Sequence, residues 1–264
     1  MLCDKDMKKN IILTASVFAS LLASSFSVAQ DEVQDMSDPL AIFTQVGAGA
    51  TNKGLNLKIG KTYDTGSDKT MGMNVLELKG FGGELFGWDG SSQRDDSIDS
   101  FRFRNFSVNM ENGRGAQIDI SYGIENERAD ASYSFIQALP KFGPVQFFPL
   151  AGFGASIQNN AIGDNGIESG YTMPGTFALV GTYTKIEVTD KIWLNYNPMY
   201  MTALSGSDYY KSNAFGLGEG DQLFHEFALS YQFTPRFNVR YFANWNADID
   251  FSEGDHRLEF NYQL

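Results

Sequence analysis

Apolar and polar residues alternate along most of this chain beyond residue 40. Ala116, Ile118, Ile120 and Tyr122 stand against Gln117, Asp119 and Ser121; Phe237, Val239, Tyr241, Ala243 and Trp245 stand against Asn238, Arg240 and Asn244. Leu55, Leu57 and Ile59 alternate with Asn56 and Lys58, and Leu258, Phe260, Tyr262 and Leu264 with Arg257, Glu259, Asn261 and Gln263. A two-residue period places an apolar row on one face of a strand and a polar row on the other. About twelve runs of this kind are found, with ten or fourteen as the bounds of the reading. They cover 40–48, 54–63, 70–80, 101–110, 115–124, 129–139, 145–157, 176–188, 191–202, 223–233, 236–247 and 257–264. Two are untidy. Phe101-Arg102-Phe103-Arg104-Asn105-Phe106 changes phase midway, which predicts a bulge. The run 145–157 is apolar on both faces, so periodicity does not orient it.

The connections between the runs sort by length. Short ones fall at 234–235, 189–190, 140–144, 111–115 and 64–69, and long ones between them at 248–255, 205–221, 158–170 and 82–100. Brief connections at 49–53 and 125–128 are the deviations. Antiparallel barrels of outer membranes have tight turns at one end and longer loops at the other. A soluble β-sandwich, the rival fold for this composition, has no reason to sort its loops by parity. The expectation is an all-β chain forming one antiparallel transmembrane β-barrel over 39–264, without a second domain or a repeat longer than a hairpin. Phe142, Trp193, Tyr196, Phe233 and Tyr262 lie near the short-turn ends and are expected to form an aromatic girdle there.

Composition agrees. The chain holds 22 Phe, 12 Tyr and 27 Gly, yet its mean hydropathy is −0.25, as expected when apolar residues are spread over many strands. The terminal strand 257–264 resembles the C-terminal sorting strand of bacterial outer-membrane β-barrel proteins, from whose usual final Phe or Trp Leu264 departs. That resemblance implies outer-membrane lipids and lipopolysaccharide as surroundings and the barrel assembly machinery as a partner of the terminal strand. Residues 1–29 read as a cleaved secretory signal: Lys8 and Lys9 precede an apolar run, and Ser27-Val28-Ala29 supplies small residues for cleavage before Gln30. Such a signal implies export through the periplasm to the outer membrane, with 30–38 as a short periplasmic lead-in. The lone Cys3 leaves with the signal, so no disulfide is expected. Net charge is −12, and −13 once three Lys and two acids depart with the signal, which argues against nucleic acid as a partner.

The polar rows, turned inward, carry Lys58, Gln117, Asp119, Asp130, Asn195, Asn197, Asn238, Arg240, Asn244, Arg257, Glu259, Asn261 and Gln263. This mixed-charge, amide-rich lining predicts a porin-like channel for small polar solutes. The alternative is a non-conducting structural or surface-interaction barrel, in which Asp119, Arg240, Arg257 and Glu259 pair and fill the lumen. A remoter alternative is a hydrolase at the loop-end rim. It rests on His225 beside Glu226 and on His256 after Glu253 and Asp255, with no Ser at a recognisable spacing, so no catalytic residue is assigned and no enzyme is expected. Asp89, Asp95, Asp96, Asp99, Asp248, Asp250, Glu253 and Asp255 give the long loops an acidic cast, without the ligand order of an EF-hand. No metal site or cofactor is expected.

Overall fold

The computed structural model describes residues 33–83 and 100–264. The predicted signal and the acidic residues Asp89, Asp95, Asp96 and Asp99 lie outside the described residues. Strands β1 (Gln45–Thr51), β2 (Leu55–Asp64), β3 (Thr70–Phe81), β4 (Ser100–Asn109), β5 (Arg114–Gly123), β6 (Arg128–Gln137) and β7 (Val145–Asn159) follow one another as antiparallel neighbours. A small hairpin, β8 (Ile162–Gly163) and β9 (Gly166–Ile167), sits in the loop before β10 (Tyr171–Thr189), which pairs back to β7. The next wall strand is broken into β11 (Ile192–Tyr196) and β12 (Met199–Gly206) at Asn197-Pro198, where proline has no N–H to give the ladder. A short helix α1 (Asp208–Asn213) then leads to β13 (Asp221–Thr234), β14 (Phe237–Trp245) and β15 (Asp255–Gln263).

Strand β15 pairs with β1 from Gln263↔Gln45 to Arg257↔Thr51, and this seam closes the ring. Counting β11 and β12 as one wall strand, the protein is a closed, all-β, antiparallel barrel of 12 strands. Closure leaves no unpaired strand edge. The tight turns and longer loops fall at opposite ends as expected, and α1 is part of the long connection after β12.

The outer face is apolar around the circumference. Leu57, Leu76, Phe103, Ile118, Ile120, Phe135, Phe153, Val180, Leu229, Leu258 and Phe260 are all exposed. An exposed apolar surface of this extent suits hydrocarbon rather than water. No helix among the described residues is long and apolar enough to cross a membrane, so any crossing is made by strands.

The interior is divided between an apolar and a polar part. On the side of β3, β4, β6, β7 and β10 it is apolar, much of it toward the tight turns: Met73 and Val75 on β3, Val108 on β4, Ile136 on β6, Phe148 and Leu150 on β7, and Phe177 and Leu179 on β10 form one buried cluster. Leu40 and Ile42 belong to the same cluster. The expected strand 40–48 therefore begins only at Gln45, and the segment before it enters the barrel end rather than trailing away as a lead-in. Buried Met36 and Phe43, and the pair between Asp35 Oδ2 and Lys185 Nζ at 3.0 Å, fix the rest of this segment. The apolar cluster also explains the two untidy runs. In β7, Phe148 and Leu150 face the cluster while Phe147 and Phe153 face outward. In β4 no bulge occurs: the pairing with β3 runs unbroken from Thr70↔Asn109 to Lys79↔Ser100. Phe106 shares the inward row with Arg102 and Arg104 because it reaches the apolar cluster, and outward Asn105 is bonded to Asn74 Oδ1 and Tyr63 Oη.

Candidate functional site: a charged vestibule

Beside the apolar cluster lies a cavity of about 690 Å³, lined by strand residues, by loop residues such as Asn246 and Ile249, and at its floor by residues 36–39. Its wall is a belt of charges set by strand register. Directly opposed pairs are Arg240↔Glu259 on β14 and β15, Lys58↔Glu77 on β2 and β3, Glu77↔Arg102 on β3 and β4, and Arg104↔Asp119 on β4 and β5. Opposite charges at opposed positions stabilise a strand pair and leave each buried charge a neighbour of the other sign.

Strand β1 carries no charge to this belt. Its inward positions are Gly47 and Gly49, where a Cβ would stand 3.0 Å from Lys58 Cε and 2.7 Å from Asn56 Oδ1. The missing side chains let Lys58 of β2 reach over β1 to an ion pair with Glu259 of β15. Asn56 Nδ2 donates to the other oxygen of Glu259 at 3.2 Å, and Arg257 Nε lies 3.5 Å from it. Farther round, Arg104 pairs with Glu77, and Arg102 holds Asp119 through Nε at 2.9 Å and Nη2 at 2.5 Å. Arg240 makes no ion pair among the described residues. Its Nε donates to Ser230 Oγ at 3.0 Å and its Nη2 to Asn195 Oδ1 at 2.8 Å. Two cations lie against the ring of Phe242, with Arg240 Cζ 4.7 Å and Arg257 Cζ 4.1 Å from its centroid.

Of the residues the sequence put on the inner rows, Lys58, Asn195, Asn197, Arg240, Asn244, Arg257 and Glu259 come together around the cavity. Gln117 and Asp119 sit just beyond it, joined by a bond from Gln117 Nε2 to Asp119 Oδ2 at 3.0 Å. Asp130 is engaged elsewhere, with Arg128 and Ser156 under the Tyr210 ring of α1. Asn238 and Asn261 are bonded to each other at 3.1 Å toward the tight turns, outside the apolar cluster, and Asn238 also meets Met36. The amide of Gln263 pairs with the backbone of Gln34. Sequence reasoning did not place Glu77, Arg102, Arg104, Glu226 or Phe242 on the inner rows. The alternation Phe101-Arg102-Phe103-Arg104 was the signal for two of them, hidden by the phase change at Phe106.

The histidines belong to the outward rows of β13 and β15, and His225 with Trp245 also borders the cavity. His225 stacks between Tyr196 and Trp245, with Nδ1 2.8 Å from Tyr196 Oη, and His256 stacks on Tyr241 with Nδ1 2.7 Å from its hydroxyl. Glu226, the expected acid partner of His225, instead accepts from Asn197 Nδ2 at 2.8 Å. Trp193 is also not where the girdle was expected: it is buried on the inward row with Asn195, whereas Phe142, Phe233 and Tyr262 are exposed. No cluster of metal-ligating side chains exists among the described residues.

A closed 12-strand antiparallel wall, apolar outside and charged within, is the fold of bacterial outer-membrane β-barrels. No protein-family model matches the chain, and no curated protein sequence is detectably similar to it. Solved structures share the fold. An outer membrane channel from Pseudomonas putida F1 superposes with a TM-score of 0.54 at 8% identity, over 90% of this chain and 100% of that one. The NanC porin superposes with a TM-score of 0.51 at 7% identity, over 84% of this chain and 100% of that one. At such identity the likeness is one of fold alone.

Proposed function

We propose that the protein is an outer-membrane channel of the porin-like type for small polar solutes, held shut at its tight-turn end by its own segment 33–44. The observation that carries this reading is the cavity. It is lined by hydrogen-bonded charges, reaches the loop end, and stops at residues 36–39. Water-filled polar interiors serve passage, and a chain segment lodged at one end converts such an interior into a vestibule. The bacterial outer membrane, reached by export through the periplasm, is the location that suits the apolar outer face. Small polar solutes are the partners that suit the vestibule, and lipopolysaccharide and the assembly machinery those that suit the outer wall and the terminal strand. Lys58, Gln117, Asp119, Asp130, Asn195, Asn238, Arg240, Arg257 and Glu259 are the lumen-lining residues of this reading.

One observation favours a non-conducting barrel instead. The ion pairs of Lys58 with Glu259, Arg104 with Glu77 and Arg102 with Asp119 cross between strands and occupy interior space. Planar-bilayer recording of the mature chain and of a variant lacking residues 33–43 separates the two. The channel reading expects small or rare currents from the whole chain and sustained ionic current from the deletion variant. A correctly inserted deletion variant that carries no current would establish the structural barrel.

A further inference from the structure

The belt is uneven in charge. Around the buried carboxylate of Glu259 stand three cations, Lys58, Arg257 and Arg240. Glu259 is already engaged by Lys58 and by Asn56 Nδ2, and Arg257 Nε, itself buried, has no hydrogen-bond partner among the described residues. Of the other carboxylates lining the cavity wall, Glu77 is paired with Arg104 and Glu226 accepts from Asn197. Arg240 has only neutral partners, which fix its orientation from one side and leave the rest of its donors unspent. Both guanidinium groups line the cavity, and both lie against the Phe242 ring. Two cations against one ring repel, and both share with Lys58 the single carboxylate of Glu259, so that their buried charge is only partly balanced. An anion received beside both of them adds the counter-charge they lack. The guanidinium fork matches the two oxygens of a carboxylate, and the ring offers an apolar surface to the body that carries it.

We propose that Arg240 and Arg257, with Phe242 beside them, form a binding site for a small organic carboxylate that enters the vestibule from the loop end. The inference deepens the channel reading and rests on it for access. Arg240 supplies a fork oriented by Ser230 and Asn195, Arg257 supplies a second guanidinium whose Nε has no hydrogen-bond partner among the described residues, and Phe242 favours a flat or apolar ligand body. Lys58 keeps Glu259 occupied, so that this carboxylate does not compete for the arginines. The outer wall has no part in selection. A neutral molecule of the same shape gains only the ring contact and binds far more weakly.

The test is titration calorimetry of the full mature chain in detergent with benzoate as the probe, benzyl alcohol as its neutral counterpart and sulfate as a plain anion. Benzoate is expected to bind, benzyl alcohol to show no measurable heat, and sulfate to bind at least several-fold more weakly. Arg240→Gln and Arg257→Gln should each weaken benzoate by about tenfold or more, as expected for a lost hydrogen bond to a charged group. Arg240→Lys, which retains charge without the fork, should weaken it by a smaller factor. Arg114→Gln, at an exposed turn end, should leave it unchanged. Retention of the compact, heat-shifted electrophoretic band shows that each variant is folded, and Arg240→Lys keeps the test alive if a glutamine variant is not. Equal affinity for benzoate and benzyl alcohol, or benzoate affinity unaffected in all the folded arginine variants, would overturn the site. Ionic current from the variant lacking residues 33–43 is read separately in potassium chloride: current without benzoate binding sinks this site and leaves the channel, whereas binding without current does the reverse.

Discussion

Replacing Ile42 with Ala isolates the role of the segment lodged in the barrel end. Ile42 is 1% exposed and belongs to the apolar cluster of Met73, Val75, Phe148, Leu150 and Phe177. Truncating a fully buried isoleucine costs about 2–5 kcal/mol, through lost transfer energy and the cavity left behind. If the segment leaves the barrel while the wall stays closed, Ile42 is in water in the released state, and the whole cost falls on docking. The docked-to-released ratio then falls by about 30-fold to a few thousand-fold, at one decade for each 1.4 kcal/mol. The amide of Leu40 donates to Asp38 Oδ1 at 2.8 Å and that of Ala41 to the Asp38 carbonyl at 3.1 Å, so both report docking by hydrogen exchange. Their protection should drop by that factor while amides in the β7–β10 ladder keep theirs. Unchanged protection at Leu40 and Ala41 would refute the account of Ile42 as an anchor. A parallel loss across the ladder would refute the segment as a unit that opens by itself.

Ile120→Arg places a cation on the lipid-facing row and should cost roughly 2–4 kcal/mol at mid-bilayer, while Gln117→Arg should be tolerated; comparable insertion yields for the two would mean the wall faces the other way. Glu259→Gln leaves Lys58, Arg257 and Arg240 without their shared counter-charge, and loss of one partner from a buried pair costs about 3–5 kcal/mol. The denaturant midpoint should fall accordingly, and the double variant Lys58→Met/Glu259→Gln should recover part of the loss. Two carboxyls of the N-terminal segment give docking a pH dependence of opposing signs. Burial pushes Asp38 up, so its protonation as pH falls favours the docked segment. Burial also pushes Asp35 up, but the side-chain and backbone hydrogen bonds of Ser37 and then Lys185 outweigh it and hold Asp35 below its ordinary 3.8. Its contribution is therefore full above that value and lost as pH falls through the lower docked value. In an Asp38→Asn background, protection of Leu40 should fall only below about pH 4, and adding Asp35→Asn should abolish that dependence.

The wall was legible in the sequence because lipid outside every strand imposes one rule, apolar outward, on all of them. Ile118 and Ile120 against Gln117, and Leu258 and Phe260 against Glu259, obey it without exception. The interior was half legible. Where it is charged, as at Lys58, Arg240 and Glu259, the two rows contrast and orientation follows. Where it is apolar, as at Phe148, Leu150 and Phe106, the contrast vanishes; 145–157 therefore gave no orientation and 101–106 suggested a bulge that does not exist. The lodged segment was invisible for a related reason. Leu40, Ile42 and Phe43 lead straight into β1, and their spacing reads as more strand. Only the partners that receive them, distant in sequence, distinguish a plug from a strand. The charge imbalance around Glu259 was likewise beyond a one-strand reading, since Gly47 and Gly49 matter only through what passes over them.

Continuity between the lodged segment and β1 also orders events in time. Strand β1 is the first wall strand and β15 the last, and their seam completes the ring. The receiving cluster draws on β3, β4, β6, β7 and β10, so it has no finished shape until most of the wall stands. The segment beside it cannot settle until the final strand has locked against its own root at Gln45. A barrel stalled with an open seam would therefore carry a loose N-terminal end, exposed to any protease nearby, whereas a completed one withdraws it. Closure of the wall is thus the condition for concealment of the segment, and lasting protection of residues 33–44 marks a barrel whose assembly is finished.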